Sequence, residues 1–99
     1  MNNFTKKDSE IVFYAFRYCL GRMSYAVNDF CSYATGNIRK IGKHELELMD
    51  KEITEAQKWD DAQEKKEFHG RLGMECDRQD WLNLRETIRE ELKRRKKAK

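Results

Sequence analysis

The chain has no proline and only five glycines in its 99 residues. Tight turns between strands draw on both residue types. Their scarcity, together with abundant Glu, Lys, Arg and Leu, predicts an all-α fold. No apolar run is long enough to cross a bilayer, and the N-terminus lacks the basic, apolar and small-residue order of a signal peptide, so a cytoplasmic protein with no membrane partner is expected. Cysteine and histidine are equally sparse, at three and two. Cys19, Cys31 and Cys76 show no CxxC spacing, which argues against a disulfide framework and leaves Cys19 and Cys31 as small buried apolar residues. His44, His69 and Cys76 form no recognisable ligand pairing, so no metal is assigned. The phosphate-binding loop G-x-x-x-x-G-K-[ST], the dinucleotide fingerprint and H-E-x-x-H are all missing. The acid pairs in "WDD" and "CDRQD" stand beside no histidine and no second carboxylate at helical spacing on an apolar face. A binding protein without cofactor or catalytic residues is therefore expected, not an enzyme.

What is present is charge. Hydrophobic residues make up 38% and charged residues 39% of the chain. A core built from such a composition must be narrow and made by long amphipathic elements, at a size where one apolar core is barely adequate. The charge is uneven: residues 1–40 carry net +3, residues 41–92 net −6 and residues 93–99 net +6. This divides the chain into a single helical domain over residues 1–92 and a basic C-terminal tail over 93–99.

Three main helices are predicted in a small bundle. The first and longest starts near Asp8 or Ser9, either of which caps helix amides, and runs to about Thr35, ending at Gly36-Asn37. At 100° per residue, Val12, Phe16, Cys19, Leu20, Met23, Val27, Phe30 and Ala34 share its core face. The second helix begins near Lys43, with Leu46, Met49, Ile53, Ala56 and Trp59 inward and Glu45, Glu47, Glu52 and Glu55 on the wet side. His44 sits at its start as a capping or solvated residue. Residues 60–69 are almost wholly polar, and Gly70 and Gly73 end the segment. The third helix starts at Asp77, a good N-cap with Asp80 three residues on, and turns Trp81, Leu84 or Arg85, Ile88 and Leu92 inward. Phe16, Leu20, Met23, Val27, Phe30, Met49, Ile53, Trp59, Trp81, Ile88 and Leu92 are the expected core.

Opposite the core, the first helix presents Tyr14, Tyr18, Gly21, Arg22, Tyr25, Asn28 and Asp29, where lysine and glutamate would be ordinary. A glycine inside a helix costs about 1 kcal/mol against alanine. Close approach of another backbone or a ligand compensates, so this helix is expected to be contacted on both sides. Two readings stand open. In one, the helix is central in its own fold or in a homo-oligomer, with Arg17 and Arg22 paired to later acids. In the other, Tyr14, Arg17, Tyr18, Gly21, Arg22 and Tyr25 form a partner-binding surface, since Tyr and Arg dominate many interfaces.

"YAFRYCLGRMSYAVNDF", "LMDKEITEA" and "GRLGMECDRQDWLNL" together resemble small proteins of bacteriophages and other mobile elements, in which an F-R-Y-A-L-G-R-M-S-Y-like helix precedes a C-D-R-x-x-W-L-x-L segment. The likeness spans roughly residues 13–84, with Cys19 where the pattern has alanine. It implies an accessory protein that binds a host protein, such as an anti-CRISPR or other inhibitor of antiviral defence. Arg17 or Arg22 meeting Asp77 or Asp80 across a helix interface as structural ion pairs, with Trp81 packed beside them, would join the two motifs in one structural unit. Two alternatives remain: a nucleic-acid-binding module using Lys93, Arg94, Arg95, Lys96 and Lys97, aided by Arg17, Arg22 and Arg39, or a helical sponge for a small anionic signal.

Overall fold

Helix formation begins at Thr5, not at Asp8 or Ser9. The Thr5 hydroxyl accepts from the Asp8 amide at 3.1 Å while the Asp8 carboxylate accepts from the Thr5 amide at 3.0 Å, a reciprocal cap that satisfies two amides at once. The computed structural model describes residues 4–20, 25–62, 72 and 75–97. Among these the chain is all-helical, with four helices: α1 (Lys6–Cys19), α2 (Tyr25–Gly36), α3 (Lys43–Asp61) and α4 (Glu75–Lys97).

The expected long first helix is two helices. Leu20 leaves the helical region with φ −63° and ψ 128°, its amide still bonded to the Phe16 carbonyl, and helical geometry resumes at Tyr25. The reason lies in the aromatic residues on either side. In a straight helix Phe16 and Phe30 would stand about 21 Å apart along the axis. Their ring centroids lie 6.1 Å apart. The Cys19 thiol likewise donates to the Ala26 carbonyl at 3.6 Å, a contact that only a reversed chain allows. Helix α1 thus ends at Cys19, with Leu20 as its C-cap. Gly21, Arg22 and Met23 lie outside the described residues, as does the side chain of Tyr25.

Helix α3 turns Leu46, Met49, Ile53 and Ala56 inward, each with 0% exposure. Trp59, expected with them, is exposed. At 100° per residue it sits about 100° from the centre of that stripe, while Asp60 falls on it. The Asp60 carboxylate is indeed largely covered and accepts from the Leu72 amide at 3.0 Å. Glu45, expected on the wet side, is buried where α3 begins beside Ser9 and Gly42. The Gly42 amide donates to the buried Ser9 hydroxyl at 2.9 Å, and a side chain at Gly42 would press on both Ser9 and Glu45. This close approach ties α1 to the start of α3.

Helix α4 starts at Glu75, so Asp77 is its third residue and buried, not its N-cap. It continues unbroken through Leu92 to Lys97. It packs antiparallel to α3 along a polar seam: Arg89 pairs with Asp50 at 3.0 Å, Arg85 donates to Gln57 at 2.8 Å and to Thr54 at 3.2 Å, and Arg78 pairs with Asp61 at 3.0 Å. Helix α2 packs on α4 as well, and α1 lies across α2 and α3. Each helix thus packs on two others, and the longest is α4 and not the first.

The core collects Phe16, Val27, Phe30, Met49, Ile53, Trp81 and Ile88 as the periodicity predicts, with Leu20 and Leu92 partly buried against it. Leu84, not Arg85, is the buried member of its pair. Cys19 and Cys31 are buried free thiols, as expected. Ile41 and Leu72 join them from the connections between helices. At the centre, Trp81 meets Phe16 edge-on at 5.4 Å and Phe30 at 6.1 Å. Its indole N–H has no hydrogen-bond partner among the described residues. Truncating Trp81 to alanine should cost about 3–5 kcal/mol in urea unfolding, whereas Trp81→Phe, which keeps the edge contacts and removes an unpaired donor, should cost less than half of that.

Candidate functional site

Two surfaces stand out, at opposite extremes of chemistry. The first is the outer face of α1. Ile11, Tyr14, Ala15 and Tyr18 recur at steps of three and four and fall within about 100° of arc, away from the stripe of Ser9, Val12, Phe16 and Cys19 that faces inward. Ile11, Tyr14 and Tyr18 are 56%, 72% and 65% exposed. Glu10 and Arg17 flank this strip as exposed charged residues. Arg17 lies 6.0 Å over the ring of Phe13, one turn back, and pairs with no acid of a later helix among the described residues. The expectation that α1 is covered on both sides within its own chain thus fails for Tyr14 and Tyr18. Isolated exposed apolar residues are ordinary; three large ones on adjacent turns of one helix make a patch.

Of the remaining residues of that predicted surface, Gly21 and Arg22 lie outside the described residues and Tyr25 opens α2. The acids expected opposite Arg22 are placed by α4: Asp77 is buried, and Asp80 accepts from the Asn28 side chain of α2 at 3.4 Å. They stand at the α2–α4 seam, next to an open groove of about 460 Å³ lined by Asn28, Ser32, Asp80, Asn83 and Thr87 over Cys31 and Leu84. Cys31 offers no nucleophile there. Burial, reinforced by the negative charge of Asp80, pushes its thiol up from 9.0 to about 12. Among the described residues, no three His, Cys, Asp or Glu side chains converge in a way that could hold a metal ion, and no helix is long and apolar enough to cross a membrane.

The second surface is the end of the molecule where α4 finishes beside the start of α3. Sequence alone suggests a solvated basic tail; the structure draws part of it into the body. Glu91, buried despite its charge, accepts from Arg94 at 2.6 Å and from Arg95 at 2.7 Å. Arg95 then reaches the connection between α2 and α3, donating to the carbonyls of Ile38, Arg39 and Ile41 at 3.1, 3.2 and 2.7 Å. One guanidinium therefore satisfies carbonyls of a turn that has no helix to bond them. Lys93, Lys96 and Lys97 remain exposed on the same stretch. Only the spacing of Glu91 and Arg95, four residues apart, is visible in the sequence as a helical ion pair; the carbonyls that Arg95 reaches lie more than fifty residues away.

Comparison with protein-family models, with curated proteins and with solved structures gives no match for this chain.

Hydrogen bonds from Arg94, and then from Arg95, hold the Glu91 carboxyl down at about 2, against 4.5 unperturbed, although burial pushes the other way. A carboxyl that titrates lower when folded favours the native state above pH 4.5, and that contribution drains away as pH falls toward 2. Glu91→Gln should lower stability by about 1–2 kcal/mol near neutrality, with the gap closing across that acid window in pH-dependent urea unfolding. Cys31 should resist thiol-specific alkylation at pH 8 in the folded protein and react at the ordinary rate in denaturant.

Proposed function

We propose that this chain is a non-enzymatic binding protein whose partner is another protein docked on the outer face of α1. One observation carries the reading: Ile11, Tyr14 and Tyr18 lie side by side on one helix face and are each more than half exposed. Tyrosine gives large contact area at low conformational cost and keeps a hydroxyl for the rim of an interface, which suits it to protein recognition. Arg17 and Glu10 border the strip with opposite charges and would set the orientation of whatever covers it. The resemblance to small phage and mobile-element proteins makes a host protein the natural occupant. A chain this small, with no thiolate nucleophile at Cys31, would act by covering a working surface of its target, as an inhibitor of a defence complex does.

Tyr14 and Tyr18 are exposed, so replacing them leaves the core intact. The double variant Tyr14→Ala/Tyr18→Ala should melt within a degree or two of the parent. In capture from nuclease-treated host lysate it should lose the partner that the parent retains, each tyrosine being worth about 2 kcal/mol, or thirtyfold, if it is a hot spot. Equal capture by parent and variant would remove this face from consideration. Light scattering separates the remaining case: a parent dimer that the double substitution converts to a monomer would make the face a contact between copies of this chain.

A further inference from the structure

We infer that the sugar-phosphate backbone of a nucleic-acid duplex binds across a composite cationic face, built from the α2–α3 connection, the first turn of α3 and the last two turns of α4. This goes beyond the protein-docking face of α1 and uses none of its residues. The basic tail is only half of the site. Arg95, by donating to the carbonyls of Ile38, Arg39 and Ile41, fixes the C-terminal turns of α4 against the connection that carries Arg39 and Lys40 and leads into Lys43. Lys43 of α3 and Lys93 and Lys96 of α4 line one cleft of about 690 Å³, together with Arg95, Leu92 and Glu47. In the cleft Lys43, Lys93 and Lys96 face the single carboxylate of Glu47; outside it Arg39 and Lys97 are exposed and Lys40 partly so on the adjoining segments.

The charges that matter differ from those the sequence singles out. Arg94 and Arg95 are both bonded to Glu91, and Arg95 is further committed to the three carbonyls, so it positions the face more than it contacts a ligand. Lys43, Lys40 and Arg39 take their place. Lysines spread over two rigid helices suit a chain of phosphates, which needs point charges at intervals and no fixed hydrogen-bonding plane.

Other polyanions fit less well. A single strand is held by aromatic side chains that stack on its bases, and no aromatic residue lines the cleft. An acidic membrane is held by basic residues mixed with apolar side chains that enter the lipid, and the one apolar residue here, Leu92, is partly buried against the core. A duplex asks for neither.

The test is fluorescence anisotropy of a labelled DNA duplex of arbitrary sequence, titrated with the full chain over a range of salt. Five or six phosphate contacts would give a log–log salt slope of about −4.5 to −5.5. Lys43→Glu, far from the tail in sequence and exposed, should weaken binding about tenfold at low salt and flatten the slope. Lys96→Glu should do the same, while Lys51→Glu, an equal change of charge elsewhere on α3, should change affinity less than threefold. Far-UV circular dichroism confirms that each variant is folded, and Tyr14→Ala/Tyr18→Ala should bind the duplex as the parent does, so loss of the protein-docking face does not disturb this readout. Absence of duplex binding by the parent, a Lys43→Glu variant that binds like the parent, a Lys51→Glu variant as weak as Lys43→Glu, or tighter binding to phosphatidylserine vesicles or to single strands than to the duplex would each overturn the proposal.

Discussion

Two phenylalanines on different helices must reach the same tryptophan. Phe16 of α1 and Phe30 of α2 both pack on Trp81 of α4, and each has its ring within about van der Waals reach of the indole. An unbroken helix cannot satisfy that demand, because it would hold the two rings several turns apart. The chain reverses after Leu20 instead. The rest of that region follows: α1 packs on α2 and α3, Cys19 comes up against Ala26, and Ile11, Tyr14 and Tyr18 on the outer side of α1 are left more than half exposed. The exposed tyrosine strip is thus a consequence of how few helices a chain of this size can wrap around one aromatic centre.

The other half of the molecule is held by charge. Along the α3–α4 seam arginines 78, 85 and 89 of α4 meet polar side chains of α3, and the pairing runs antiparallel from one end to the other. Exposed pairs of this kind contribute little each, so the seam sets register more than stability. Glu91 and Arg95 differ because the carboxylate is buried and the guanidinium closes onto backbone carbonyls. An acid left there alone would be costly, which is why its charged form survives only with two arginines beside it. The outcome is electrostatic as well as mechanical: Glu91 offsets one of the two charges of Arg94 and Arg95, and the remaining tail cations are brought beside those of the α2–α3 connection.

Much of this was legible in advance. The spacing of Val12, Phe16, Cys19, Val27, Phe30 and Ala34 identified their core positions correctly even though the helix that was meant to carry them is broken. Both halves are helical and both turn the same residue types inward, so the pattern survives the reversal that it does not reveal. Trp59 was misplaced because the stripe of α3 advances by three and four residues in turn, and the next inward position is Asp60. Ile41 and Leu72 could not be found by period at all, since each lies in a connection between helices and not on a helical stripe. The tyrosines of the candidate site are visible in the sequence as an anomaly, aromatic residues on a side where charge is ordinary; that Tyr14 and Tyr18 are each more than half exposed is not.

Composition and periodicity by themselves determined that this protein is helical, that its core is narrow, which residues fill most of it, and that its C-terminus is basic. These are local properties, set by propensity and by the repeat of apolar side chains over a few turns. Tertiary structure decided the rest: where the first helix breaks, that α4 packs between α2 and α3, that Arg95 leaves solvent to bond a turn distant in sequence, and that Lys43 of α3 shares a cleft with Lys93 and Lys96 of α4. Each depends on contacts between residues far apart along the chain. No local pattern encodes which of them will meet.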